Sequence, residues 1–182
     1  MALEHAILVS LAERSATGYD LARRFDASIG HFWKASHQQI YKVLGRMERA
    51  GWVESEVVAQ AGRPDKKVYV LTPAGREELG LWTSKATPIE DLRSEFAVKL
   101  RALPFGDAGA IVADVRVRRR AHQERLAYYA DSAARFYPEP AAVAPDQMGA
   151  WLVLRGGILA EEAGIAWCDE ILQRLAVDEA DR

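Results

Sequence analysis

The chain has a single cysteine among its 182 residues. Cys168 therefore has no partner for an internal disulfide and no company for a zinc site, and a lone thiol of this kind reads as a small buried hydrophobe. Histidine is almost as scarce. His5, His31, His37 and His122 are scattered without the spacing that metal ligation needs, and there is neither a glycine-rich phosphate loop nor a nucleophile elbow. These gaps leave no metal centre, cofactor site or activated nucleophile in view, so the expectation is a protein that is not an enzyme. Long apolar runs are missing too. None approaches the ~20 residues that cross a bilayer, and nothing resembles a signal peptide, so a cytoplasmic chain without a membrane partner is expected. An excess of one charge is also lacking, since 24 Lys and Arg against 26 Asp and Glu leave a formal net charge of -2. What is present, 49% hydrophobic and 27% charged residues, is the make-up of a soluble globular protein, long enough for one large or two small domains.

The charge is unevenly spread. Between Arg14 and Arg76 eleven Lys and Arg stand against six Asp and Glu, a balance of +5, whereas residues 87 to 182 carry twelve against sixteen, or -4. The positive segment also holds the most ordered local pattern. Ser36 with Gln39 three residues on forms a capping box, and Ile40, Leu44 and Met47 repeat at helical spacing behind it. Ser36, His37, Gln38, Gln39, Tyr41, Lys42 and Arg46 project from the other side of the same turns, offering amides, a phenol and cations that suit base edges and phosphates.

Gly51 stops this helix, and the run from Trp52 to Val58 has the β-branched and aromatic content of a strand. Ala61 to Asp65 reads as a turn and Lys66 to Leu71 as the returning strand, so Arg63, Lys66 and Lys67 cluster at the hairpin tip, where they can follow a phosphate backbone. Thr72-Pro73 opens another helix, expected to run to about Lys85. Two helical stretches precede the recognition pattern, one through Leu3, Ile7, Leu8 and Leu11, the other from the Thr17-Gly18-Tyr19-Asp20 capping box through Leu21, Phe25 and Ile29. Helix, helix, recognition helix and hairpin make a winged helix-turn-helix over residues 1–86.

Thr87-Pro88 marks the boundary to a helical region over residues 87–182. A helix carrying Ile89, Leu92, Phe96, Leu100 and Leu103 is expected to end at Pro104, a second to span about Asp107 to Phe136, and a third about Asp146 to Val177. On the last, Trp151, Leu154, Ile158, Glu161, Ile165, Cys168, Leu172 and Leu175 alternate in steps of three and four, the pattern of a helix packed along its length against another. The expected cover is a second subunit, which makes Trp151, Leu154, Ile158, Ile165, Leu172 and Leu175 the expected dimer contacts. Trp33, Phe96, Tyr128, Tyr129 and Trp151 are the aromatic residues expected to hold a small effector. The fold class expected is mainly α with a small β-hairpin.

These residues resemble a PadR-type transcriptional regulator of the longer form. The resemblance rests on Gly18-Tyr19-Asp20-Leu21, on Gln39-Ile40-Tyr41 with Leu44, Met47, Glu48 and Gly51, and on Gly62-Arg63-Pro64 followed by Lys67, Tyr69, Leu71-Thr72 and Ala74-Gly75-Arg76. Gly157, Glu162 and Ile165-Ala166-Trp167 resemble the closing helix of such proteins. Lys42 departs from the pattern, standing where the family often has proline after the tyrosine. The resemblance implies a homodimer on a palindromic operator in double-stranded DNA, usually a repressor, released by a small and often aromatic molecule. The alternative from the residues alone is a winged-helix module for protein association, with the helical tail as scaffold and no sequence-specific DNA binding.

Overall fold

The structure, a computed structural model, describes residues 2–27, 35–59, 66–89 and 93–180. It divides into two compact units, Met1–Glu90 and Asp91–Arg182.

The first unit contains α1 (Ala2–Glu13), β1 (Ala16–Thr17), α2 (Gly18–Ala27), α3 (His37–Arg49), β2 (Val53–Val58), β3 (Lys66–Leu71) and α4 (Pro73–Thr83). Each helix start has a local cause. The Asp20 N–H donates to Thr17 Oγ1 at 3.0 Å, which caps α2. At α3 the Gln39 N–H donates to Ser36 Oγ at 3.2 Å and the Ser36 N–H to Gln39 Oε1 at 2.8 Å, a complete capping box. The chain leaves α3 through Gly51, whose φ of +73° suits a residue without Cβ. Thr72 caps α4 by accepting from the Gly75 N–H at 3.0 Å, and its hydroxyl reaches back to the Gly51 and Trp52 carbonyls. The helices close over one core in which Ile7, Leu8, Leu21, Phe25, Ile40, Leu44 and Met47 are buried. At roughly 1.5–3 kcal/mol for each large apolar side chain, this core outweighs the weak propensity of helices this short.

The expected hairpin is part of a three-stranded sheet in the order β1-β3-β2. β1 pairs antiparallel with β3 through Ala16↔Tyr69 and Thr17↔Val68; two residues are too short to show strand periodicity in a sequence. α4 ends two residues before the expected Lys85, with Ser84 as its C-cap. The expected turn at 61–65, with Arg63, and Trp33 lie outside the described residues.

The second unit is α5 (Glu95–Arg101), α6 (Ala108–Phe136) and α7 (Met148–Ala180), with short 3-10 turns at Leu103–Phe105 and Pro140–Ala142. α5 is shorter than expected. Ser94 caps it by accepting from the Ala97 N–H, Ile89 stands fully open upstream, and Leu103 lies in the 3-10 turn that contains Pro104. Asp107 caps α6, accepting from the Ala110 N–H at 2.9 Å. α6 and α7 run antiparallel, since going up α6 the contacts Arg119–Asp169, His122–Glu161 and Tyr137–Trp151 descend along α7.

This pairing puts α6 against the stripe on which a second subunit was expected. α6 of the same chain covers it: Ile158, Glu161 and Cys168 are buried, and Trp151, Leu154, Ile165, Leu172 and Leu175 are half-buried. The physical reason is length, for at ~1.5 Å per residue the 29 residues of α6 nearly match the 33 of α7. Glu161, the polar member of the stripe, is answered from α6 by His122 Nδ1 and, at 2.8 Å, by Arg125 Nε. Burial pushes its carboxyl upward, but the hydrogen bonds from Arg125 and His122 and their charge prevail and hold it below the usual carboxylate value.

Candidate nucleic-acid interface

The buried stripe of α3 turns its opposite side outward. Ser36, His37, Gln38, Gln39, Tyr41 and Lys42 are all exposed on its first turns, the end that enters the major groove in this motif. They are not equivalent. Gln39 spends its carbonyl oxygen on the cap, accepting the Ser36 N–H, so only its amide group remains to reach outward. Tyr41 is held in place by Gly18 at the start of α2, where an added Cβ would stand 2.4 Å from Tyr41 Cε1. Arg46 lies farther along the helix and is ion-paired through Nη2 with Glu4 Oε1 on α1. It ties the recognition helix to its scaffold. Gln38, Tyr41 and Lys42 are thus the group of the α3 face that combines an amide, a phenol and an ammonium on neighbouring turns.

On the wing, Lys66 and Lys67 are both exposed, and Lys67 Nζ donates to Glu48 Oε2 on α3 at 3.0 Å. Glu48 also accepts from the Ser55 hydroxyl on β2. The Ser55 hydrogen bond and then Lys67 hold the Glu48 carboxyl below its usual value, and the bond to Glu48 raises Lys67 above its own.

Sequence reasoning assigned no role to α2, yet its first turns border this face. Tyr19 is exposed beside the Gly18 that seats Tyr41, and the Arg23 guanidinium stands 5.9 Å from the Tyr19 ring centroid. Arg14, Asp20, Arg23 and Arg24 line an open depression, with Arg24 Nη2 donating to the Arg14 carbonyl at 2.9 Å. The signal was the Arg23-Arg24 pair within the positive segment, four residues after an exposed tyrosine. Among the described residues no cluster of His, Cys, Asp or Glu is placed to hold a metal ion, and no helix is long and apolar enough to cross a membrane.

Of the expected effector residues, the described ones, Phe96, Tyr128, Tyr129 and Trp151, do not form one group within the chain. Phe96 is buried with Val115 and Cys168, meets the Trp167 ring edge-on at 5.4 Å and lies under the Arg118 guanidinium at 4.2 Å. Trp151 meets Tyr137 at 5.4 Å, and Tyr128 meets Tyr129 at 6.0 Å. Trp151 and Trp167 are sixteen residues apart on one helix, ~24 Å of rise. Phe96 and Trp151 of one protomer therefore cannot line the same small pocket.

Comparison with known proteins gives the family and the fold. The model of the transcriptional regulator PadR-like family matches residues 7–81, and that of the virulence activator alpha C-terminal region matches residues 92–176. A probable transcriptional regulator of Mycobacterium tuberculosis is 44% identical, with 96% of this chain and 98% of the relative covered. The negative transcriptional regulator PadR of Bacillus subtilis is 30% identical over 97% of this chain and 98% of its own. Among solved structures, the Vibrio cholerae virulence activator AphA is similar with a TM-score of 0.79 at 36% identity, covering 96% of this chain and 98% of that one. Bacillus subtilis PadR in complex with operator DNA superposes with a TM-score of 0.85 at 26% identity, covering 96% and 99%. The same protein in complex with p-coumaric acid gives 0.80 at 25% identity, covering 97% and 99%.

Proposed function

The chain belongs to the PadR-like family of transcriptional regulators, and from that premise we propose that it is a homodimeric repressor that binds a palindromic operator and leaves it when a small aromatic acid binds. The observation that carries the DNA reading is the exposed first-turn face of α3. In this reading Gln38, Tyr41 and Lys42 meet base edges, Ser36 and His37 at the helix start meet phosphate or sugar, and Arg63 and Lys66 follow the backbone on the wing. Gln39 and Arg46 serve the fold of the recognition helix first. The likeness to the operator-bound Bacillus subtilis structure supports the same placement.

The homodimer is supported by the side of α7 turned away from α6. Leu152, Val153, Leu159 and Trp167 are exposed there, Leu152 by 60% and Leu159 by 50%. Gly156 lies on the same side, with nothing among the described residues within 4 Å of an added Cβ. A glycine inside a helix costs roughly 0.5–1 kcal/mol relative to alanine, and packing among the described residues does not require it at this position. A second copy seated on this side accounts for both. Two-fold pairing sets the distance between recognition helices and calls for an operator with matching symmetry.

The repressor sense follows the name of the Bacillus subtilis relative, and the aromatic acid follows its complex with p-coumaric acid. Tyr128, Tyr129 and Trp151 are the residues proposed to contact it. The test is a gel shift with the DNA upstream of the protein's own gene, with and without p-coumaric acid, beside a reporter driven by the same DNA. Binding that the acid abolishes, with a reporter that rises when the regulator is deleted, supports the reading. A reporter that falls makes the protein an activator, and binding that no aromatic acid disturbs removes the effector.

A further inference from the structure

Lys66 and Lys67 are neighbours on β3, and a strand sends successive side chains to opposite faces. The register assigns them. Ser55 is opposite Tyr69 and Val57 opposite Lys67, so Ser55, Val57, Lys67 and Tyr69 share one face of the hairpin. That face turns toward α3, because Tyr69 is buried in the core and the Ser55 hydroxyl reaches Glu48. Lys67 reaches the same carboxylate through its other oxygen, with its ammonium 5.1 Å from the Tyr69 ring centroid. Lys66 leaves the strand on the opposite face.

A single exposed ion pair would contribute little. Here one carboxylate on the recognition helix accepts a donor from each strand of the wing, so it restrains both the separation of the hairpin from α3 and its roll about the strand axis. Both partners keep their charge at neutral pH, the carboxyl being held low and the ammonium high.

Building on the DNA-binding reading above, we propose that Glu48 is the positioning residue that sets the wing against the recognition helix, and that Lys67 is the cation it holds, so that of the two adjacent lysines Lys66 meets the phosphate backbone. The wing's contribution to operator affinity then depends on an acid that itself never touches DNA.

The test uses the full-length protein, the DNA it selects from a random pool, and a random-sequence duplex of equal length, over a range of salt concentrations. Each neutralised phosphate contributes about -0.9 to the log-log salt slope. In a dimer Lys66→Ala should therefore flatten the slope by about 1.8, and Lys67→Ala by less than about 0.5. Glu48→Gln keeps an acceptor for Ser55 but drops the charge that holds Lys67. It should steepen the slope and lower the ratio of selected to random affinity about tenfold, and adding Lys67→Ala should remove the steepening. A Lys67→Ala effect as large as that of Lys66→Ala overturns the proposal, as does a Glu48→Gln protein with wild-type slope and ratio. Hydrogen exchange without DNA keeps the two readings apart. Glu48→Gln should speed exchange in β2 and β3 and leave α1 and α4 unchanged, and unaltered protection of the wing overturns the proposal whatever the DNA results. A wild-type protein that selects no DNA refutes the DNA-binding reading instead.

Discussion

Gly18 and Gly75 are both crowded, but by neighbours of different kinds. A Cβ on Gly75 would stand 2.1 Å from the Trp52 carbonyl oxygen, which is backbone and cannot turn aside, whereas a Cβ on Gly18 would meet the outer edge of the Tyr41 ring. Gly75→Ala should thus destabilise the protein by about 1–3 kcal/mol, read as a lowered midpoint of thermal or urea unfolding. Gly18→Ala should melt close to wild type, because the ring can swing away and alanine recovers roughly 0.5–1 kcal/mol of helix propensity. Its effect belongs in function. With Tyr41 displaced from the α3 face, affinity for the selected site should fall about tenfold, as expected when one base contact is lost. If Gly18→Ala binds as tightly as wild type, the position of Tyr41 does not matter to recognition.

At the scale of elements, α3 was the most legible part of the chain, because its capping box, its buried stripe and Gly51 all point the same way. β1 was not, since its two residues form a strand only by pairing with Tyr69 and Val68 far along the chain. The apolar spacing of Ile89 and Leu103 continues past both ends of α5, and periodicity alone does not reveal that Ile89 stays open to solvent. The stripe on α7 is a packing surface that α6 of the same chain covers in part, for spacing tells that a helix face is covered and not by which chain. The wing pair Lys66 and Lys67 looked alike in sequence, and only the strand register separates them. Exchanging the two sides of α7 yields a test. Ile158→Asp would place a charge in the α6–α7 seam and should unfold this unit, whereas Leu159→Asp on the outer side should leave the fold intact and give a monomer by light scattering. A dimeric Leu159→Asp protein would move the seam elsewhere. Glu161 adds a pH signature to the same pair. Its carboxyl is held below the usual 4.5 when folded, so the cluster contributes stability that is present above that pH and is lost as pH falls through the lowered value. The melting temperature should drop on acidification below about pH 4.5, and Glu161→Gln should flatten that drop. Equal pH profiles for the two proteins would mean that other carboxylates dominate.

For the whole molecule, a net charge of -2 hides a segment from Arg14 to Arg76 with a balance of +5 and a helical region of -4. This division favours phosphate contact where the recognition helix and wing lie and opposes it elsewhere, so affinity should fall steeply with salt while indiscriminate coating of DNA stays weak. The matches to the PadR-like family model and to the virulence activator C-terminal model fall in the same two regions. Operator recognition is measured most directly by sequencing the DNA that the purified full-length protein retains from a random pool, repeated with Gln38→Ala. A dimer that reads bases through α3 should retain a two-fold symmetric site with half-site centres one helical turn apart, ~34 Å, or a multiple of it, and its Gln38→Ala variant should lose preference at one position in each half-site. Retained DNA without symmetry, or a pool no different from the input, would contradict this mode of recognition.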